Sequence, residues 1–454
     1  MNIDKINSAH FIGIGGIGMS NLARYFLSRG VLVSGYDRVE SNLTKSLISE
    51  GAVIHYLDEI QQIRNIDSLD LVVYTPAIPE NNQQLSYFNQ STVTLLKRAE
   101  VLGEITKGSY CVAVAGTHGK TTTSCIVAHM LEYSGVGCTA FLGGIATNYN
   151  SNFILNSNTK FVVVEADEYD RSFLNLSPDI VLLTSIDADH LDVYGSEEQV
   201  QDSFQEFVNL IPTNGNLISN FGLKILRDSK TTYGENKNAD FNIINKRVKD
   251  GEHYFDLEYG SNLIQNIQLG IQGNHNIHNA VAVFALGVEL GIDKEIIKNS
   301  FATFKGVKRR FEYKIKTESL IYIDDYAHHP KEIEACLNSV KELFPGKKIT
   351  VVFQPHLYSR TKDFLDDFGL SLSNIDEVIL LDIYPARELP IPGVNSTILL
   401  DKISCQNKML VEKKELIPEL ENRFLEVLLT LGAGDIDELV SPINLMLNSK
   451  ISVN

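Results

Sequence analysis

The chain has 454 residues, enough for about three domains that each bury their own core. Its hydrophobic content of 44% and charged content of 21% are those of an ordinary globular protein. A formal net charge of −17 without any basic run argues against nucleic acid or an anionic membrane as a partner. Any anionic ligand must therefore be held by local Lys and Arg side chains, helix ends and Mg²⁺.

The cysteines indicate neither a disulfide framework nor a zinc site. They are an odd number in a long chain and show no C-x-x-C spacing, which predicts buried thiols in a reducing compartment. The N-terminus has no signal-like segment and no apolar run is long enough to span a bilayer, so we expect a cytoplasmic location. The cysteines are Cys111, Cys125, Cys138, Cys336 and Cys405.

The first β/α unit carries a G-x-G-x-x-G pattern. A strand is predicted over 9–14, a helix over 19–27 and a second strand ending at Asp37, which is the context of a dinucleotide site. The glycines require only a diphosphate near a helix N-terminus, so a nucleotide-sugar diphosphate satisfies the same geometry. The four glycines are Gly13, Gly15, Gly16 and Gly18.

A second glycine loop organises the middle of the chain. An apolar run over 112–115 precedes G-x-x-G-K-T, and an apolar-periodic helix follows through 126–131. Loop N–H groups and a helix N-terminus together bind phosphate. Lys120 is expected to reach the β- and γ-phosphates, and Thr121 to sit on Mg²⁺. Val114 stands where the usual pattern has a glycine, so an ordinary glycine-rich turn is the alternative.

Polar clusters follow the next predicted strands. Glu165 ends the run 161–165, where a carboxylate suits a Mg²⁺ ligand, although an exposed acidic loop is the alternative. His190 is either a second-metal ligand or a solvated loop histidine. Amides at 276 and 279 open an apolar helix, where they can cap it or read an adenine edge. The stretch 217–271 alternates polar and apolar residues, which predicts a small set of antiparallel hairpins.

The last third of the chain again alternates strands and helices, with Pro330 at a helix start. Polar clusters follow each predicted strand, where open α/β sheets place their ligands. These strands are predicted at 320–323, 349–353, 377–381 and 427–431.

Two diphosphate-type loops on separate domains, followed by a third α/β domain, do not fit a dehydrogenase. The sequence resembles the Mur ligases of peptidoglycan synthesis over essentially its whole length. The motifs that carry the resemblance lie at 116–123, 165–168, 273–279, 309–311 and 324–330. Further motifs at 13–20, 187–190 and 354–360 are similar to those of members that add L-alanine.

The resemblance implies an α/β protein of three domains. Residues 1–107 would form a Rossmann-like UDP-sugar-binding domain. Residues 108–306 would form a central ATP-binding P-loop domain, whose sheet is mostly parallel with a small antiparallel portion. Residues 307–454 would form a Rossmann-like amino-acid-binding domain. The expected state is a monomer or a weak homodimer.

The resemblance also implies an ATP-dependent carboxylate–amine ligase. UDP-N-acetylmuramate, L-alanine and ATP would give UDP-N-acetylmuramoyl-L-alanine, ADP and phosphate through an acyl phosphate, with Mg²⁺ required. The implied catalytic residues are Lys120, Glu165 and His190, and the implied metal ligands are Thr121, Glu165 and His190. The implied ATP-binding residues are Gly116, Thr117, His118, Gly119, Lys120, Thr121, Thr122, Asn276, Asn279, Arg310, Asp324 and Tyr326.

The two other substrates have their own implied residues. Those for the UDP-sugar are Gly13, Gly15, Gly16, Gly18, Asp37, Thr75 and Ala77. Those for the amino acid are His329, His356 and Arg360. Many members that add L-alanine carry an arginine where Leu357 stands, one of a pair near the amino-acid carboxylate. Arg360 would therefore act alone or with another cation.

Three alternative functions stay open. A murein-tripeptide recycling ligase, which joins a peptide to UDP-N-acetylmuramate, shares the motif at 165–170 but lacks the Gln354, His356 and Arg360 pattern. A nucleotide-gated regulatory protein would need no ligase residues. An NAD-dependent oxidoreductase is predicted by the first glycine loop alone.

Overall fold

The computed structural model describes residues 3–63, 65–187, 194–227, 230–249, 252–386 and 388–453. The chain divides into two compact units. The first comprises Met1–Arg247, Tyr254–Gly270 and Asn276–Lys305, and the second comprises Val248–His253, Ile271–His275 and Gly306–Asn454. The strands form three sheets of five, ten and six strands.

The five-stranded sheet is parallel throughout, in the order β3-β2-β1-β4-β5. Its strands are β1 (Ser8–Ile12), β2 (Leu32–Tyr36), β3 (Val53–His55), β4 (Leu71–Tyr74) and β5 (Thr94–Lys97). Its helices are α1 (Ile17–Ser28), α2 (Asn42–Ser49), α3 (Gln83–Phe88) and α4 (Arg98–Thr106). The predicted strand 9–14 ends earlier, at Ile12, because the chain turns at Gly13, whose φ is +86°.

The ten-stranded sheet has the order β15-β14-β13-β12-β11-β10-β6-β9-β7-β8. Its strands are β6 (Tyr110–Ala115), β7 (Thr139–Ala146), β8 (Ser151–Ile154), β9 (Phe161–Glu165), β10 (Ile180–Leu183), β11 (Asn216–Asn220), β12 (Lys230–Gly234), β13 (Phe241–Lys249), β14 (Glu252–Tyr259) and β15 (Asn262–Leu269). The accompanying helices are α5 (Lys120–Tyr133), α6 (Glu197–Asn209), α7 (Asn274–Glu289) and α8 (Lys294–Thr303).

The prediction of antiparallel hairpins over 217–271 is wrong for the first part of that stretch. Strands β11, β12 and β13 pair in parallel with their neighbours and extend the sheet beyond β10. An antiparallel portion is present at the other edge, where β7 pairs with β8. Polar–apolar alternation reports that one face of a strand is buried, whereas strand direction depends on the connections between strands.

The six-stranded sheet has the order β16-β17-β21-β18-β19-β20, with β16 as an antiparallel edge strand and the others parallel. Its strands are β16 (Glu312–Lys316), β17 (Ile321–Asp325), β18 (Ile349–Phe353), β19 (Glu377–Leu380), β20 (Asn407–Leu410) and β21 (Val427–Leu431). Its helices are α9 (Pro330–Leu343), α10 (Tyr358–Asp363), α11 (Leu365–Ser373), α12 (Ser396–Lys402), α13 (Leu416–Glu421) and α14 (Asp437–Val453).

The predicted features of this last region are present in the structure. Pro330 is the first residue of α9, where its missing N–H is not needed.

The five cysteines of the whole chain are all buried, as expected. Across the described residues, no helix combines the length and apolarity that crossing a bilayer requires.

Candidate active site

The second glycine loop connects β6 to α5 and is held by the end of β10. Gly116 has a φ of +131°, and a Cβ there would lie 2.2 Å from Thr184 Oγ1, so this position excludes a side chain. The loop N–H of His118 donates to Ser185 Oγ at 2.9 Å. Because β6, β9 and β10 are adjacent and parallel, their carboxyl ends meet at this edge of the sheet.

Lys120 opens α5 with its ammonium group turned onto the loop. Its Nζ donates to the carbonyl oxygens of Gly116, at 2.7 Å, and Thr117, at 3.2 Å. It also pairs at 2.8 Å with Glu168, whose side chain is 2% exposed. Burial lowers the pKa of Lys120, but the nearby carboxylates, chiefly Glu168, outweigh this effect and raise the pKa. The ammonium therefore stays charged at neutral pH, as a phosphate ligand must.

Thr121 and Glu165 present two hard oxygen ligands beside the loop. Thr121 Oγ1 donates to Glu165 Oε1 at 3.0 Å, and the N–H of Gly143 donates to Glu165 Oε2 at 3.0 Å. No group of three or more His, Cys, Asp or Glu side chains suited to a metal occurs in the described part of the chain. Mg²⁺ usually takes one or two protein oxygens together with phosphates and water, so this pair fits it. His190, the other implied ligand, lies outside the described residues.

The two asparagines implied for adenine lie at the start of α7, close to the phosphate loop. Asn279 Nδ2 donates to Asn276 Oδ1 at 3.0 Å, and both side chains are buried. A Cβ on Gly119 would lie 2.8 Å from Asn279 Oδ1, so the loop and the amide are in direct contact. Thr122, also implied for ATP, is buried in the first turn of α5.

The first glycine loop lies between the carboxyl ends of β1 and β4, where the strand order of the five-stranded sheet reverses. Asp37, at the end of β2, accepts a hydrogen bond from the N–H of Gly15 at 2.8 Å. A Cβ on Gly13 would lie 3.3 Å from Thr75 Cγ2, in the turn after β4 that also contains the exposed Ala77. Gly16 precedes α1 as its N-cap. The structure thus assembles the residues implied for the UDP-sugar.

In the second unit, Tyr326 is stacked against two arginines. The guanidinium carbons of Arg309 and Arg310 lie 5.3 and 5.0 Å from its ring centroid. Asp324 is fully buried and accepts hydrogen bonds from Arg309 Nε at 3.1 Å and Thr430 Oγ1 at 2.7 Å. That Asp324 contacts the nucleotide stays a prediction. In the structure its carboxylate holds Arg309 beside Tyr326.

The residues implied for the amino acid follow β17 and β18. Arg360 lies in α10 with 9% exposure, and its Nη1 is 3.4 Å from Nδ1 of His356. The His356 ring stacks on Tyr384 at 5.8 Å and meets His328 edge-on at 6.0 Å. Burial lowers the pKa of His328 to about 4, so this ring is neutral at pH 7.

The third residue implied for the amino acid, His329, caps α9. Its Nδ1 accepts from the N–H of Lys331 at 3.4 Å, and its ring packs edge-on against Phe364 at 4.8 Å. Leu357, where the family resemblance implies an arginine, has a φ of +71° at the start of α10. That backbone is strained for a leucine and lies directly beside the candidate amino-acid residues.

Sequence reasoning missed the roles of Glu168 and Arg309. Glu168 stands inside the acidic run that marked Glu165, but the pattern did not show which carboxylate would pair with Lys120. Arg309 stands next to Arg310, and its bonds to Asp324 and to Gly432 O at 2.7 Å join residues distant in sequence. Neither pair leaves a signal in the sequence pattern, because each depends on contacts made only in the folded chain.

Three family models match successive parts of the chain. They are described as Mur ligase family, catalytic domain, over residues 8–110, Mur ligase middle domain over 114–287, and Mur ligase, glutamate ligase domain over 309–436. With this coverage, and with relatives about half identical along their whole length, the chain belongs to the Mur ligase family and is an ATP-dependent ligase.

The relatives narrow the comparison to one kind of member. The UDP-N-acetylmuramate–L-alanine ligase of Christiangramia forsetii is 48% identical, over 97% of this chain and 98% of the relative. That of Flavobacterium psychrophilum is 49% identical, over 99% and 100%. The crystal structure of the UDP-N-acetylmuramate–alanine ligase of Thermotoga maritima superposes with a TM-score of 0.84 at 29% identity, covering 98% of this chain and 99% of that one.

Proposed function

We propose that this chain joins L-alanine to the lactyl carboxylate of UDP-N-acetylmuramate, with ATP giving ADP and phosphate, in peptidoglycan precursor synthesis. The relatives that match it along their whole length bear the name of this activity. The observation that carries the proposal is Lys120, a charged ammonium at the start of α5 that contacts two loop carbonyls and Glu168. That arrangement suits transfer of a phosphoryl group to a carboxylate.

The phosphate loop must bring two anions together, namely the phosphate of ATP and the carboxylate of the sugar nucleotide. A carboxylate resists attack by an amine until one of its oxygens becomes a good leaving group, which phosphorylation supplies. Lys120 and the N–H groups of the loop would stabilise the charge that grows on the transferred phosphoryl group. Asn276 and Asn279 would contact the adenine. Tyr326, stacked on Arg310, would contact the nucleotide, and Asp324 would act through Arg309.

We propose that Thr121 and Glu165, with His190, hold Mg²⁺. The ion would neutralise phosphate charge during transfer. Glu165→Gln keeps the shape of the side chain and the acceptor for Gly143 N–H but removes the charge. We expect it to raise the Mg²⁺ concentration needed for half-maximal phosphate release about tenfold or more. An unchanged Mg²⁺ requirement would contradict the assignment, and Glu132→Gln, on the opposite end of α5, is the control.

The remaining proposals concern the domains, the amino-acid site, the location and the assembly state. The proposed domains are 1–107 for the UDP-sugar, 108–306 for ATP and 307–454 for the amino acid. His329, His356 and Arg360 would hold L-alanine, with Arg360 on its carboxylate. We further propose a cytoplasmic monomer or weak homodimer, consistent with an intracellular nucleotide-dependent reaction.

The proposal is tested by phosphate release from ATP against a panel of sugar nucleotides and amino acids. We expect release that depends on UDP-N-acetylmuramate and L-alanine together, with formation of the amide product by mass spectrometry. Release with the murein tripeptide and none with L-alanine would favour the recycling ligase. Phosphate release independent of both substrates, or none at all with ATP binding intact, would favour a regulatory protein.

A further inference from the structure

One arginine beside the first glycine loop is not explained by the motifs of the sequence. Arg98 is the first residue of α4, immediately after β5, so it lies at the same carboxyl edge of the sheet as the glycine loop. A Cβ on Gly18 would lie 2.9 Å from Arg98 Nη1 and 3.0 Å from its Cδ. The arginine side chain therefore occupies the space against Gly18, at the N-terminus of α1.

One carboxylate, that of Asp167, orients the guanidinium group of Arg98. Arg98 Nη2 lies 3.4 Å from Asp167 Oδ2, and the Arg98 side chain is 20% exposed. Within the described parts of the chain, Asp167 is its hydrogen-bond partner, which leaves most of the five N–H donors of the guanidinium for a ligand. Asp167 is itself held in place, because its Oδ1 accepts from the N–H of Tyr169 at 3.1 Å.

These contacts combine three features that favour an anion at one place. The glycine loop lets an anion approach the backbone, α1 contributes its positive N-terminal end, and Arg98 adds a planar cation suited to phosphate oxygens. We propose that Arg98 binds the diphosphate of the sugar nucleotide and that Asp167 positions it. This inference rests on the proposed function, because it assigns a residue within the UDP-sugar site.

A purely structural role for Arg98 makes a different prediction. Asp167 belongs to the acidic segment that includes Glu168, the partner of Lys120. If Arg98 only tethered this segment, removing either partner of the Arg98–Asp167 pair would have the same effect, and that effect would appear at the phosphate loop. If Arg98 binds the diphosphate, removing Arg98 lowers the affinity for the ligand directly. Removing the charge of Asp167 leaves the guanidinium group available to bind it.

The test is isothermal titration of the full-length protein with UDP, uridine and ADP. We expect Arg98→Ala to weaken UDP binding about tenfold or more, since a charge-assisted contact is lost, and to leave uridine and ADP binding within about twofold. Arg98→Lys should fall between Ala and wild type. Asp167→Asn should keep UDP binding within about threefold of wild type. Lys107→Ala, which removes a cation from the C-terminal end of the same helix, is the matched control.

The possible outcomes are distinct. The inference is overturned if Arg98→Ala binds UDP as tightly as wild type does. It is also overturned if the affinities for UDP and for uridine fall by the same factor. Asp167→Asn and Arg98→Ala proteins with equal losses of UDP and ADP binding also overturn it, in favour of the tether. Wild-type protein that binds ADP but neither UDP nor UDP-N-acetylmuramate contradicts the proposed function itself. Arg98→Lys keeps the test valid if Arg98→Ala does not fold.

Discussion

At the scale of single residues, Lys120 has both a chemical and a structural role. In the proposed reaction it would stabilise phosphate charge, and in the structure it neutralises Glu168, whose side chain is buried. Lys120→Ala should reduce turnover about 10²-fold or more. It should also lower the free energy of unfolding by about 3–5 kcal/mol, because a buried carboxylate loses its cation.

A double variant separates these two effects. Lys120→Met with Glu168→Gln removes both charges, so the unfolding free energy should return toward the wild-type value while turnover stays low. Phosphate release and denaturant unfolding measure the two quantities, and Lys107→Ala serves as the control. Turnover within a few-fold of wild type in the double variant would contradict the role of Lys120.

Arg360 is the residue on which recognition of the small acceptor should depend. L-Alanine offers an amine that must stay free to attack, a methyl group and a carboxylate, so most of its orientation comes from the carboxylate. Arg360→Ala should raise the KM for L-alanine about 10- to 150-fold, toward the upper end because Leu357 stands where the resemblance implies a second cation. The KM values for ATP and the UDP-sugar should change little.

The alternative role for Arg360 is a surface ion pair with Asp363 or Asp366, which would contribute under about 1 kcal/mol and leave the kinetics unchanged. Asp366, one of its possible partners in the sequence, pairs with Lys402 at 2.7 Å instead. Steady-state kinetics with all three substrates check the prediction, and Lys362→Ala, exposed on the same helix, provides the control. An equal rise in all three KM values would place the amino-acid site elsewhere.

At the scale of elements, the strand–loop–helix around Gly116 tolerates no side chain. A Cβ there would clash with Thr184 and with the backbone of Ser185. Gly116→Ala should therefore distort the loop and weaken ADP binding at least tenfold, while UDP binding is retained. The control is Gly135→Ala at the other end of α5, where φ is also positive, at +79°, but where a Cβ meets no atom within 4 Å. It should cost only about 1 kcal/mol of stability and leave ADP binding intact.

The first sheet contains a buried histidine that makes stability depend on pH. His10 is fully buried, with Nδ1 2.8 Å from Ser34 Oγ and Nε2 2.9 Å from Gln84 Oε1. Burial lowers its pKa from 6.5 to about 4. The unfolded chain therefore takes up a proton at higher pH than the folded chain, so stability falls as the pH drops from about 6.5 to about 4.

The size of this effect follows from the shift in pKa. The full loss in free energy of unfolding from this histidine is about 3 kcal/mol. In urea unfolding, the stability advantage of wild type over His10→Asn should shrink by about this amount between pH 7 and pH 4. The partly exposed His278→Asn is the control for loss of an imidazole. A wild-type advantage that does not change with pH would show that the pKa of His10 is the same in the folded and unfolded states.

At the scale of the whole molecule, the two glycine loops predict two separate nucleotide sites. UDP-N-acetylmuramate and ADP should each raise the melting temperature, and their effects should be observable singly and together. NAD shares only the diphosphate with the sugar nucleotide, so it should raise the melting temperature much less. Thermal unfolding with each ligand provides the measurement, and protection by NAD equal to that by UDP-N-acetylmuramate would contradict the assignment of the first loop.

The sequence by itself determined the α/β class, the two glycine loops and the family. These features are local: glycines, a following helix and a preceding apolar strand act within about ten residues of one another, so their pattern predicts their geometry. The start of α9 at Pro330 was predictable for the same reason. Family membership followed from many such short motifs taken together.

Only the tertiary structure decided which partners the charged side chains take and which way the later strands run. Lys120 pairs with Glu168, Arg98 with Asp167 and Arg309 with Asp324. The first and third pairs join residues near neighbouring strands of one sheet, whereas Arg98 and Asp167 follow strands of two different sheets. Asp324 is predicted as an ATP-binding residue, and its burial and its hydrogen bond from Arg309 were not visible in the sequence. Such pairings depend on which strands are adjacent in a sheet and on which sheet edges lie close together, and no local pattern of residues encodes either.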